Sequence, residues 1–201
     1  MLRHMFMRQL LHIFLVSTLF NVFLFSSNSS AEEPGDSVSM LDNLEWKLEL
    51  GRHEQLLVQK QNPENNLAEF TTDGCSGGLS VGWKYLADSI DQIRKTHGDL
   101  PPWESCCIDH DKQYHTAGSA DLTAAMSFLA RKQADEELRT CVIETGIQRA
   151  PELRVEYELS LEDLSQIYQT IGDLMYRAVR IGGVPCTGLP WRWGYGWPQC
   201  D

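Results

Sequence analysis

The chain has 201 residues, 42% of them hydrophobic and 22% charged, with a formal net charge of −11. That length, less a leader, suits a single core and one domain. So acidic a balance argues against nucleic acid as a partner and against electrostatic docking on anionic lipid, while leaving room for a bound divalent cation.

Residues 1–31 contain no acids, carry Arg3 and Arg8 ahead of an apolar run over residues 10–25, and end in Ser29-Ser30-Ala31. This pattern predicts a secretory signal peptide cleaved near Ala31, and so a secreted or periplasmic protein. The alternative is a membrane anchor retained through residues 10–25, but that run is short of ~20 residues and is broken by His12 and Asn21. After the leader, 15 basic and 28 acidic residues remain, a formal charge of −13. All six cysteines lie in this part, and an even count in a secreted chain predicts three disulfides. A zinc site is disfavoured, because no CxxC or HxxxH spacing occurs and His110 and His115 point from different faces of a helix.

Residues 32–39 are acidic with Pro and Gly, and predict a flexible N-terminal stretch. Residues 40–60 form an amphipathic segment around Leu44, Trp46, Leu48, Leu50, Leu56 and Leu57, split at Gly51; helix and hairpin both remain open. A polar turn follows at Asn62-Pro63 and runs to Asn66. Thr71-Thr72-Asp73-Gly74-Cys75-Ser76-Gly77-Gly78 suits a tight loop whose backbone groups turn toward one point, although an ordinary turn tied by a disulfide has the same composition. Residues 83–96 predict a helix, ended by the stretch from Gly98 to Pro102.

Residues 103–115 and 122–142 predict two helices joined by a short Gly/Ser turn, hence antiparallel neighbours. A further helix over residues 161–180 has a stripe of Leu164, Ile167, Tyr168, Ile171, Leu174, Met175 and Ala178, which reads as core. Gly182-Gly183 stops it. In the tail between Cys186 and Cys200, Trp191, Trp193, Tyr195 and Trp197 occupy alternate positions, which would share one face of an extended segment. Such a face suits core or dimer packing, or a lipid interface.

The richest chemistry lies in Cys106-Cys107-Ile108-Asp109-His110-Asp111-Lys112-Gln113-Tyr114. At about 100° per residue, Cys106, His110 and Tyr114 share one helical stripe. Adjacent cysteines point in different directions and so bond to two different elements. Cys-Cys-x-x-His-Asp-x-x-Tyr on a helix resembles the active-site motif of the secreted phospholipase A2 family. That family also has an Asp six residues before a cysteine on the next helix, matched by Asp135 and Cys141. Asp73-Gly74-Cys75-Ser76 is similar to the calcium loop of its bacterial and fungal members.

The resemblance covers roughly residues 70–142. It implies a mainly α, disulfide-linked phospholipase A2-like fold in which two antiparallel helices carry the active site. The chain then divides into a leader over 1–31, an N-terminal segment over 32–69, the core over 70–145, and a C-terminal helix with an aromatic tail over 146–201, all in one domain. Carrying the family pairing onto this sequence links Cys75 to Cys107 and Cys106 to Cys141, and leaves Cys186 with Cys200. A further family disulfide would fall at Gln113 and Ala134, and both its halves are absent here. Ser76 stands where the animal-type loop has glycine, and the span from Cys75 to Cys107 is longer than in that type.

That register allows a separate test of which acid faces the histidine. With Cys106 and Gln113 as the inward face of the first helix, His110 lies about 50° to one side and Tyr114 about 90° to the same side. On the second helix, with Ala134 and Cys141 inward, Asp135 lies about 110° off and Glu137 about 50° off in the opposite sense. Asp135 therefore shares a side with His110 and Tyr114.

By resemblance, His110 is the general base that draws a proton from an attacking water, Asp135 orients it, and Tyr114 holds Asp135. The expected cofactor is Ca2+, held by the Asp111 carboxylate with carbonyls of Gly74, Ser76 and Gly78, or by the Asp73 side chain with the Gly74 carbonyl. The expected reaction is hydrolysis of the sn-2 acyl ester of glycerophospholipids at a membrane surface. A catalytically silent relative that binds lipid or protein is the alternative.

Overall fold

The computed structural model describes residues 34–75, 88–89, 91–119 and 121–200. The leader and the cleavage position lie outside them, as do Ser76, Gly78 and residues 83–87. The chain divides into two compact units, residues 1–42 and 43–201. Five helices are defined within the described residues: α1 (Pro34–Gln61), α2 (Asp91–His97), α3 (Glu104–Thr116), α4 (Ala124–Tyr157) and α5 (Leu161–Gly182). No strand occurs among these residues, and no helix there is long and apolar enough to cross a membrane.

The first helix corrects two expectations. It starts at Pro34, within the stretch expected to be flexible, and runs through Gly51 without a break. Proline is tolerated in the first turn because its missing N–H has no intrahelical partner there. A mid-helix glycine costs only about 1 kcal/mol against alanine, less than a buried face returns. The identity of that face is the second surprise. Leu44 and Leu48 are exposed, and the buried stripe is Glu49, His53, Leu56, Leu57 and Lys60. Hydrophobic periodicity cannot find a face on which three of five residues are polar and satisfied by partners in the interior.

Helix α3 ends at Ala117 in the left-handed region, with the Ala117 N–H bonded to the Gln113 carbonyl. The carbonyls left over at that end converge on Lys60, whose Nζ lies 2.7–3.2 Å from the oxygens of Thr116, Ala117, Gly118 and Ser119. A cation at a helix C-terminus also complements the helix dipole. Helix α4 is capped by the Thr123 hydroxyl, which accepts from Met126 N–H. It continues to Tyr157, past the expected end at Val142 and through Pro151, because its buried stripe continues as Val142, Gly146, Ala150 and Leu153.

Helix α5 begins with a reciprocal capping box between Ser160 and Asp163 and packs antiparallel along α4. Glycines set the closeness of that contact. A Cβ on Gly146 would sit 2.2 Å from the Tyr168 ring, and one on Gly172 would sit 3.1 Å from the Arg139 carbonyl. Leu164, Tyr168 and Met175 are buried as expected, but Leu174 and Ala178 face outward, since contact with one neighbour uses only part of the stripe.

Three disulfides join Cys75 to Cys107, Cys106 to Cys141, and Cys186 to Cys200. The second sets the antiparallel register of α3 and α4, which Gln113 Nε2 extends by donating to Glu137 Oε2 at 2.9 Å. The tail is a series of turns rather than an extended segment, so its four aromatics do not share a face. Trp193 is 1% exposed, packs edge-on against Tyr114 and donates to Ser127 Oγ, while Trp191 is 40% exposed. Backbone bonds from Gly194 N–H to the Tyr114 carbonyl and from Gly196 N–H to the His115 carbonyl lace this tail onto the end of α3.

Candidate active site

The Cys106–Cys141 bond and the α3–α4 packing place His110, Tyr114 and Asp135 in one buried cluster. His110 Nε2 lies 2.8 Å from Asp135 Oδ1, and the Tyr114 hydroxyl donates to the same oxygen at 2.7 Å. The His110 and Tyr114 rings lie 4.1 Å apart between centroids. Asp135 is 0% exposed and His110 6%. A buried carboxylate beside Nε2 requires that nitrogen to carry the proton, which leaves Nδ1 as the acceptor. Nδ1 faces Asp111, whose Oδ1 is 4.0 Å away.

Burial depresses the His110 imidazole, but the carboxylates of Asp111 and Asp135 on its two sides outweigh that and raise its pKa above the ordinary value. Burial and the Asp135 charge push the Tyr114 phenol well up, so it remains a hydrogen-bond donor. The close approach behind Tyr114 depends on Gly183, where a Cβ would stand 2.4 Å from the phenol oxygen. Glu137 lies apart from this cluster, bonded to Gln113 and Gln133.

The second side of Asp135 was not legible in the motif. Arg180 Nη1, from α5, donates to Asp135 Oδ2 at 3.0 Å, and Arg131 Nε stands 3.9 Å from the same oxygen. Arg131 Nε also donates to the Tyr114 hydroxyl at 3.2 Å, and its Nη1 donates to Glu49 Oε2. Arg180 Nη2 donates to Glu45 Oε2 at 2.9 Å and to Glu49 Oε1 at 3.5 Å. Burial lifts the Glu49 carboxyl, yet His53 and the two arginines draw it below the usual range. The four charges of Asp135, Glu49, Arg131 and Arg180 balance, which is the condition for holding them in the interior. By spacing Arg180 falls on the side of α5 away from its apolar stripe, so the hydrophobic pattern gives no sign that it is buried.

Farther along the network His53 Nδ1 lies 2.9 Å from Ser127 Oγ, and His53 Nε2 is 3.6 Å from Glu49 Oε2. Serine, histidine and glutamate thus stand in the order of a hydrolase triad. Ser127 and His53 are both 0% exposed, however, and Ser127 Oγ already accepts from Trp193, so no substrate reaches them. Burial lowers the His53 pKa and keeps it neutral.

On the outer side of His110, the Thr72 hydroxyl donates to Asp111 Oδ2 at 2.5 Å, and Gly74 N–H donates back to Thr72 Oγ1 at 3.0 Å. Gly74 has φ of +71° and lies so close to the Glu104 side chain that a Cβ would overlap it. The Cys75–Cys107 bond therefore brings the loop beside Asp111. Burial, then Asp111, then Asp73 push the Tyr195 phenol up to about 12, so both carboxylates act on one spot.

Oxygen donors of this kind suit a hard cation such as calcium. Among the described residues no three His, Cys, Asp or Glu side chains converge as a metal cluster, so backbone carbonyls would have to complete such a site. Of the sequence-predicted ligands, Asp73, Gly74 and Asp111 are described, while Ser76 and Gly78 lie outside the described residues.

Comparisons of the chain with protein-family models, with curated proteins and with solved structures return no match.

Proposed function

We propose that this protein is a secreted phospholipase A2-like hydrolase that cuts the sn-2 acyl ester of glycerophospholipids at a membrane surface. The observation that carries the reading is the buried Asp135 carboxylate bonded at once to His110 Nε2 and to the Tyr114 hydroxyl. With Nε2–H committed to Asp135, Nδ1 is the nitrogen that takes a proton from a water attacking the ester carbonyl. As His110 becomes cationic, Asp135 stabilises the charge without moving, because Tyr114 already holds its oxygen. Returning that proton to the leaving glycerol oxygen restores the resting imidazole.

Asp111 would hold calcium together with the carbonyls of Gly74, Ser76 and Gly78; in the alternative arrangement the Asp73 side chain and the Gly74 carbonyl would hold it. Calcium, when bound, supplies a Lewis acid for the ester carbonyl oxygen. The acidic surface favours zwitterionic over anionic lipid as the test substrate.

The deciding measurement is fatty-acid release from phosphatidylcholine vesicles by the wild-type protein and by His110→Ala, each with calcium and with chelator. Release by wild type in calcium that both the substitution and the chelator abolish supports the proposal. Equal release by the two proteins, or none by wild type with calcium, removes it; vesicle binding without release would point to a silent lipid-binding protein.

A further inference from the structure

Only one oxygen of Asp135 serves the imidazole. Oδ1 takes the bonds from His110 and Tyr114, while Oδ2 is bound by Arg180 Nη1 at 3.0 Å. Arg180 stands near the end of α5, outside the stretch that resembles a known family. Its side chain is 4% exposed and pinned at its far end, where Nη2 donates to Glu45 and Glu49 of α1. Arg131 closes the assembly from behind by donating through Nη2 to the carbonyls of Val179, at 2.9 Å, and of Arg180 itself, at 2.6 Å. One prong of the Arg180 fork is thus on the acid that faces the histidine, and the other is anchored on a separate helix.

A carboxylate turns easily about its Cβ–Cγ bond, whose torsion has broad minima. Two donors on one oxygen leave the second oxygen free to swing; a third donor on that second oxygen fixes the plane. The planar guanidinium with forked donors is suited to this, whereas an ammonium reaches one acceptor at a time. The geometry points to Arg180 as a positioning residue: its bond to Asp135 Oδ2 holds the carboxylate in the plane that keeps His110 as the Nε2–H tautomer. The inference rests on the reading of His110 as the base. It extends the site to α1 and α5, since Glu45 and Glu49 aim the guanidinium.

The test uses the full secreted chain in the vesicle assay with calcium, with kcat and KM measured separately, and reads the His110 tautomer from its ring nitrogen chemical shifts at alkaline pH. Arg180→Ala is expected to lower kcat by about 10- to 100-fold at unchanged KM, as for loss of one charge-assisted bond. Added guanidinium, well below denaturing concentration, should restore part of that loss. The tautomer should become mixed. Arg180→Lys keeps the charge, and so the fold if the alanine variant collapses, and should show a smaller kcat loss with the same tautomer mixing.

A folded Arg180 variant with full kcat and a single Nε2–H tautomer would overturn the inference, as would a variant that lowers thermal stability alone. If the wild-type chain releases no fatty acid, the proposed hydrolase fails, and the tautomer measurement still decides whether Arg180 positions Asp135.

Discussion

Replacing Asp135 by asparagine changes one charge and almost no volume at a position that is 0% exposed. Oδ1 faces two donors, His110 and Tyr114, and Oδ2 faces one, Arg180. The amide therefore keeps its oxygen toward His110 and Tyr114 and turns its NH2 against the guanidinium. One charge-assisted bond is lost, about 1.5–3 kcal/mol, and Glu45 and Glu49 remain to neutralise Arg180, so the folded state survives with about 3 kcal/mol less stability. Under the proposed reaction the rate falls separately. An imidazolium and a carboxylate about 4 Å apart between charge centres interact by about 4 kcal/mol at an effective dielectric of ~20, and the asparagine forgoes that stabilisation. The expected rate loss is about a thousandfold. Urea unfolding gives the first quantity and initial rates of fatty-acid release the second. A folded Asp135→Asn protein with a rate within tenfold of wild type would refute this account of the pair.

Removing the Cys106–Cys141 bond by double alanine substitution opens a loop of 35 residues and should cost about 4 kcal/mol by loop-closure entropy, seen as a lower urea midpoint. Trp193→Ala empties the space against Tyr114 and strips Ser127 of a donor, so a loss of about 3–5 kcal/mol is expected in the same measurement. His97 should make stability depend on pH. Burial and Arg149, which donates to Nδ1 at 2.7 Å, lower its pKa to about 4, so the folded state keeps it neutral while the unfolded chain takes up a proton below pH 6.5. Its contribution is complete above pH 6.5 and is lost as the pH falls toward about 4. His97→Gln should flatten that part of the urea-midpoint profile, and an unchanged slope would count against the assignment.

Much of the helical framework was readable in the chain. The stripe over residues 161–180 is a local pattern, and local patterns survive folding. The pairing of Cys106 with Cys141 and of Cys75 with Cys107 is the one that the family resemblance implies, and it sets the register of the two helices. That register also put Asp135, and not Glu137, on the side of His110, because two antiparallel helices of known pitch leave no freedom once one contact is set. Less was legible where polar groups are buried. Glu49, His53 and Lys60 make the inner face of α1, so its outer leucines misled the pattern. The aromatic tail alternates like a strand, but its glycines allow turns, and Trp193 goes inward because Tyr114 and Ser127 await it.

The sequence by itself therefore determined α3, α5 and the start of α4 by local spacing, and, with the disulfide pairing that the family resemblance implies, the cluster of His110, Tyr114 and Asp135. Only the tertiary structure decided that Arg180, Arg131 and Glu49 surround the far side of Asp135. Arg131 stands one turn before Asp135 on α4, but Arg180 and Glu49 come from helices distant in the chain, and a charge reads as surface until a partner of opposite sign is found within reach.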